Sequence, residues 1–325
     1  MTRTFPRFLS KQAARLVSAK SLLKMPTPVF FPFYHVVSDE DLPHVLNYNY
    51  RNINQFEKEL DFYLKYFNPV SLEDLLNPSQ SNKKPFHVTF DDGLKECTDI
   101  IAPILLKKGI PATFFVNPAF VDNKALFHKY KASLIFRQMQ KTGNSAVEEL
   151  LMKHKLSGIN ILKASILQSD LIDQAAQMLK IDFLDFLKRQ QPYLTLDQLK
   201  NMQQKGFGIG AHSYHHSELW QISEELQKSE ITSSMNWIIK HLNPNIKAFA
   251  FPFTDSGVAR SVMETLQKEK ICDVSFGTSG IKFDELNNHF QRYPVENSYN
   301  FIGDLKSEIV YFQLRKMVGK VTVKH

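Results

Sequence analysis

The feature that most constrains this chain is a set of short, almost wholly apolar runs, each separated from the next by polar or helix-like sequence. Seven stand out by their Val, Ile, Phe and Tyr content: 29–37 (VFFPFYHVV), 87–90 (HVTF), 112–116 (ATFFV), 207–211 (FGIGA), 246–251 (IKAFAF), 273–276 (DVSF) and 292–295 (RYPV). Runs with little polar alternation suit a parallel sheet covered on both faces, and intervening helices supply the crossovers that such a sheet requires. Phe56, Leu60, Leu64 and Phe67 keep a helical period behind an Asn54-x-x-Glu57 start, and Thr195 with Gln198 makes a capping-box pattern.

Polar residues fall at or just after the ends of these runs. His35 closes the first, Asp91 and Asp92 follow the second, Asn117 the third, His212 the fourth and Asp255 the fifth. In a parallel α/β barrel these strand ends open on one face, so residues distant in sequence meet in one pocket. The pattern favours an α/β fold built as a distorted (β/α) barrel of about seven parallel strands. Residues 122–192 depart from it: they contain no good strand and far exceed the dozen or so residues a crossover needs. They read as a helical insertion over or beside the active face.

Composition narrows the class further. With 325 residues, 43% hydrophobic and 22% charged, the chain has the mixture of an ordinary globular protein and not of a collagen, a disordered polyelectrolyte or a disulfide scaffold. Its two cysteines, Cys97 and Cys272, sit in apolar stretches and read as buried thiols, which fits a reducing compartment. The net charge is +7, but Arg3, Arg7, Lys11, Arg15, Lys20 and Lys24 supply +6 of it without a single acid in residues 1–24. The remaining chain is near neutral, so nucleic acid is not an expected partner. The four-residue spacing of Arg3, Arg7, Lys11 and Arg15 puts them on one helical face, either a solvated basic helix or a contact with anionic lipid. Without a spanning run or an export signal, the expected location is cytoplasmic, with peripheral membrane contact through residues 1–24.

Two motifs carry chemistry. Thr89-Phe90-Asp91-Asp92-Gly93 sets adjacent carboxylates at a strand end, where one can ligate a metal and the other can face an activated water. Taken alone, Asp-Asp-Gly is also a common turn. In Gly210-Ala211-His212-Ser213-Tyr214-His215-His216, one helical turn between His212 and His216 would bring two imidazoles to one ion; a non-helical turn would leave His215 as the rival to His216. Joined, Asp92, His212 and His216 form a one-carboxylate, two-imidazole set, the open pattern of a catalytic zinc rather than a closed structural one.

These residues resemble the polysaccharide deacetylase family (the NodB-type homology domain, carbohydrate esterase family 4). The family signatures T-F-D-D-G and H-[ST]-x-x-H stand intact at Thr89–Gly93 and His212–His216. Tyr34-His35-Val36-Val37, Phe56, Val70–Leu75 and Gly109–Val116 are also similar, so the resemblance covers roughly 29–120 and 193–296. It implies a catalytic domain over 25–325, interrupted at about 122–192, with a divalent metal, most often Zn2+, held by Asp92, His212 and His216. Asp91 would then be the general base, and the backbone N–H of Phe253, just after Pro252, the oxyanion donor. The implied reaction is hydrolysis of N-acetyl groups on an N-acetylhexosamine glycan of the cell envelope or its lipid-linked precursor, releasing acetate.

Departures from the family pattern keep two alternatives in view, an O-acetyl esterase and a non-catalytic glycan-binding homologue. The third-motif Arg position is Ala250, and the late L-x-H that supplies the general acid is missing. Arg292 is the candidate to replace the lost positive charge and orient Asp91. His35, or less securely His289, is the candidate acid.

Overall fold

The computed structural model describes residues 4–76, 83–298 and 300–325, with side chains from residue 7 onward. Eight parallel strand segments make the central sheet: β1 (Pro32–Tyr34), β2 (Val88–Phe90), β3 (Ala112–Val116), β4 (Gly208–Ala211), β5 (Ala248–Ala250), β6 (Val274–Gly277), β7 (His289–Gln291) and β8 (Tyr293–Pro294). Their spatial order is β7-β6-β5-β4-β3-β2-β1-β8. The seven runs seen in the sequence all contribute, and the barrel is the expected one.

The eighth segment arises at the closure. β7 pairs with β6, and β8, one residue later, pairs with β1. One stretch of chain therefore seals the sheet on itself by changing partner at Arg292. Alternation along it is strict: Phe290 and Arg292 point into the barrel, against Phe31 and Phe276 and against Phe33 and Phe115 respectively, whereas His289 and Gln291 face outward. The interior is a small aromatic and aliphatic core that includes Phe31, Phe115, Ala250, Val274 and Phe276. The larger core lies between the barrel and its helices.

The helices form for local reasons that the sequence partly shows. Ile53–Tyr66 begins at a capping box of Asn52 and Gln55, two residues before the expected start, and buries Phe56, Leu60 and Tyr63. The Thr195–Gln198 box is present and opens Leu196–Gln204. In the region of the insertion lie four α-helices, His128–Thr142, Ser145–Lys153, Ser169–Met178 and Phe183–Gln190, joined by 3-10 turns and packed around a core of their own. Phe127, Tyr130, Leu187 and Tyr193 knit this unit to the loops at the barrel mouth.

Thr4–Leu16 packs along the helix Phe301–Met317, where Arg7 pairs with Glu308 at 3.3 Å. Arg3 lies outside the described residues; Lys11 and Arg15 are exposed. Leu22 and Leu23 join the main core. Both cysteines are buried free thiols. Among the described residues no helix is long and apolar enough to cross a membrane.

Candidate active site

At the C-terminal mouth of the barrel, β2 is followed at once by Asp91 and Asp92. Asp92 takes φ +70° and Gly93 φ +64°, so the chain turns sharply enough to present both carboxylates. A Cβ on Gly93 would press into Val116, which leaves glycine the residue that fits there. The Asp91 N–H continues the ladder by donating to Tyr34 O at 2.9 Å.

Asp91 and Asp92 have different partners. Arg292 grips Asp91 with both terminal guanidinium nitrogens, Nη1 at 2.7 Å and Nη2 at 2.8 Å, and Nη1 also donates to Thr89 Oγ1 at 3.1 Å. Burial pushes the Asp91 carboxyl up, but Arg292 and then His212 outweigh it and hold Asp91 below the usual carboxylate range. Asp92 Oδ2 accepts from Tyr48 at 3.1 Å and Tyr130 at 3.0 Å, whereas Oδ1 is buried and accepts no hydrogen bond. That bare oxygen is 3.0 Å from His216 Nε2 and 3.8 Å from His212 Nε2.

The two imidazoles reach this point without a helix. The segment after β4 is an irregular loop in which Ser213 and His216 adopt φ of +60° and +58°. The expected helical turn is therefore replaced by two left-handed residues, and these bring the His216 ring beside His212, centroids 4.8 Å apart. His215 points away and binds Glu230 at 2.6 Å, which removes it as a rival ligand. His212 Nδ1 donates to Ala250 O at 2.8 Å, leaving the Nε2 lone pair to face Asp92. Burial lowers its pKa to about 4, so the ring is neutral at ordinary pH. One atom each from Asp92, His212 and His216 lie within 4.8 Å of one another, a separation that one ion can bridge. An orphaned carboxylate oxygen facing neutral imidazole nitrogen fits a divalent cation. Asn117 braces the loop from below through the His212 and Ser213 carbonyls.

The cluster opens into a cavity of about 450 Å³, lined on the barrel side by His35 and Glu296 and on the insertion side by Phe127 and Lys129. His35 donates its backbone N–H to Glu296 Oε1 at 2.9 Å and sets Nδ1 2.5 Å from Oε2. Its ring stacks on Tyr48, centroids 4.1 Å apart. Burial lowers the His35 pKa, but the Glu296 carboxylate more than reverses this and raises it to about 9. Arg51 brackets Glu296 by donating to the Val295 and Ser298 carbonyls, each at 2.7 Å. Phe253, at φ +57°, lays its ring edge-on to His216 and lies 5.3 Å beneath Lys129 Nζ.

Two residues raised by the sequence are elsewhere. Asp255 and His289 lie on the outer side of the barrel wall, 3.1 Å from each other, and neither lines the cavity. The alternation of β7 explains His289: it has the outward parity and Arg292 the inward one. Glu296, Tyr48 and Tyr130 escaped sequence reasoning. Glu296 follows the last strand end and obeys the rule that singled out His35; the tyrosines come from a loop and from the insertion and carry no such mark.

The family model for polysaccharide deacetylase matches residues 79–271, more than half of the chain. The chain belongs to the polysaccharide deacetylase family. Solved structures show the same fold at low identity. The Streptococcus pyogenes deacetylase PplD, in complex with acetate, is 18% identical, with a TM-score of 0.56 over 87% of this chain and 99% of that one. IcaB from Ammonifex degensii is 16% identical, with a TM-score of 0.55 over 87% and 98%. BC0361, a polysaccharide deacetylase from Bacillus cereus, is 16% identical, with a TM-score of 0.53 over 86% and 68%. No curated protein sequence matches. Family membership and the buried ligand cluster together support a metal-dependent hydrolase acting on an acetylated glycan.

Proposed function

We propose that this deacetylase removes N-acetyl groups from an N-acetylhexosamine-containing glycan, with Zn2+ held by Asp92, His212 and His216. The observation that carries the reading is the pairing of Asp91 with Arg292 beside the Asp92 oxygen that accepts no hydrogen bond, at the floor of a cavity whose wall holds His35 on Glu296. Two imidazoles and one carboxylate leave positions open for water and substrate, as catalytic zinc sites do. The cation supplies Lewis acidity, polarising the acetyl carbonyl and making water a better nucleophile.

The chain's own groups do the rest. Asp91 accepts a proton from the attacking water; Arg292 occupies both of its oxygens, but each keeps a lone pair for that task. The Phe253 N–H donates to the oxyanion as the carbonyl carbon becomes tetrahedral. An amine leaves poorly unless protonated, and His35, kept as imidazolium by Glu296, gives its proton to the departing nitrogen. The products are acetate and a free amine. Phe127 and Lys129 close the cavity from the insertion side, excluding water and bounding the sugar.

The test is acetate release from N-acetylated and O-acetylated oligosaccharides by chelated protein reloaded with single divalent ions. Zinc-dependent release from the N-acetyl series is expected. Release from O-acetyl esters alone would change the bond assigned. Glycan binding without release under any ion would make the chain a binding homologue. For residues 1–24 we propose contact with anionic membrane through the exposed Lys11 and Arg15, tested by sedimentation with phosphatidylglycerol vesicles at low and high salt.

A further inference from the structure

Behind the active site, on the outer side of the barrel, lies a second group of ligating side chains that the reaction does not use. Asp255 comes from the loop after β5 and His289 from β7. Asp284 and the His325 ring come from the two-stranded pairing of Phe283–Asp284 with Thr322–Val323 and the residues just beyond it. All four side chains are no more than 3% exposed. His289 Nε2 is 3.1 Å from Asp255 Oδ2 and 3.9 Å from Asp284 Oδ2; His325 Nε2 is 3.0 Å from Asp284 Oδ2 and 4.0 Å from Asp255 Oδ2. Ligands about 2.1 Å from a tetrahedral zinc stand about 3.4 Å apart, and these four separations bracket that value.

Charge points the same way. Two carboxylates are buried together, and among the described residues no Lys or Arg reaches either; nearby Arg260 goes to Glu285 and the His325 carbonyl. Asp255 Oδ1 is buried without a hydrogen bond. His289 is anchored through Nδ1 to Ser275 Oγ at 2.7 Å, the kind of outer contact that orients a ligating ring. Gly277 supplies the space, since a Cβ there would collide with the Asp255 carboxylate and the Gln291 amide. Gln291 Nε2 donates to Asp255 at 2.5 Å and Asp284 at 2.9 Å and lies 3.3 Å from His289 Nε2, with Oε1 held by the Ser279 N–H, so an ion at this point would displace the amide group. A neutral amide adds no charge, so without an ion only the two imidazoles could offset the carboxylates.

The geometry points to a second divalent-cation site, formed by Asp255, Asp284, His289 and His325, structural in kind because all four positions come from protein. It ties the outer strand pair to the barrel wall directly behind Arg292 and Phe253. The competing arrangement is two imidazolium rings plus the Gln291 amide, with no ion.

The deciding measurement is metal stoichiometry by mass spectrometry on the full chain, chelated and then reloaded with Zn2+. The site predicts two equivalents for the parent protein, one for His212→Ala, one for Asp284→Asn and none for the double variant. In the His212→Ala protein, Co2+ should give the intense visible absorption of a tetrahedral ion, and Zn2+ at about 100-fold excess over Kd should raise the melting temperature by a few degrees. Both signals should vanish with Asp284→Asn; if that variant fails to fold, His325→Gln replaces it. A folded His212→Ala protein that binds no Zn2+ overturns the site. Retention of both equivalents by His212→Ala would instead count against the catalytic ligand set.

Discussion

The inner and outer clusters are built from the same side chains, aspartate and histidine, and differ in what surrounds them. The inner one has three candidate ligands, a bare carboxylate oxygen and a cavity in front of it. The outer one has four, each side chain no more than 3% exposed, and a glycine at 277 that makes room for the Asp255 carboxylate. Openness, not ligand chemistry, separates a site that can turn substrate over from one that can only hold the fold together. Inner-cluster changes should therefore register in turnover and outer-cluster changes in stability.

The sharpest way to break that division is His212→Ala, which should take acetate release to background while the far-ultraviolet circular dichroism and the melting temperature without added metal stay close to the parent's. A comparable loss from Asp284→Asn at a temperature where it is folded would erase the distinction. Asp91→Asn should retain the inner metal and lose turnover by about 10³-fold, read as kcat beside metal content. A variant that keeps parental acetate release would remove Asp91 from the role of base.

His35→Asn comes next, with a loss of about 10²-fold on N-acetyl substrates and little on O-acetyl esters, whose leaving group needs no proton. The groups facing His35 are Glu296, Asp91, Asp92 and Tyr48. Its pKa is raised to about 9, so the acid is present below that pH and is lost as pH rises through it; the alkaline limb of the rate profile should disappear in His35→Asn. Arg292→Gln couples the two regions. It leaves a buried carboxylate unpaired at a cost of about 3–5 kcal/mol in urea unfolding, and it raises the acid limb of the rate profile as Asp91 loses its counter-charge. Tyr48→Phe should be mildest: Asp92 keeps Tyr130, and metal affinity falls about tenfold.

What could be read beforehand follows from how local each signal is. Apolar runs and strand-end polar residues are local, so the barrel, both signatures and the pairing of Arg292 with Asp91 were legible. The loop that carries His216 was expected to be helical because i,i+4 spacing suggests it; two left-handed residues achieve the same convergence and leave little trace in composition. Asp255 was assigned to the pocket by its position after a strand, but a loop can turn outward as readily as inward. The strand His289–Gln291 was missed because its polar residues hid it, and those residues are the ones that face the outer cluster.

The change of partner at Arg292 has a consequence for how the molecule is proofread. Side chains on an extended segment alternate sides, so a one-residue slip in the sealing stretch would exchange Gln291 and Arg292. His289 would turn into the barrel, the guanidinium would face Asp255 and Asp284 on the outer side, and Asp91 would be buried without its cation. The unpaired Asp91 carboxylate penalises a misaligned seam, so correctly joined molecules are the ones that present a competent catalytic mouth.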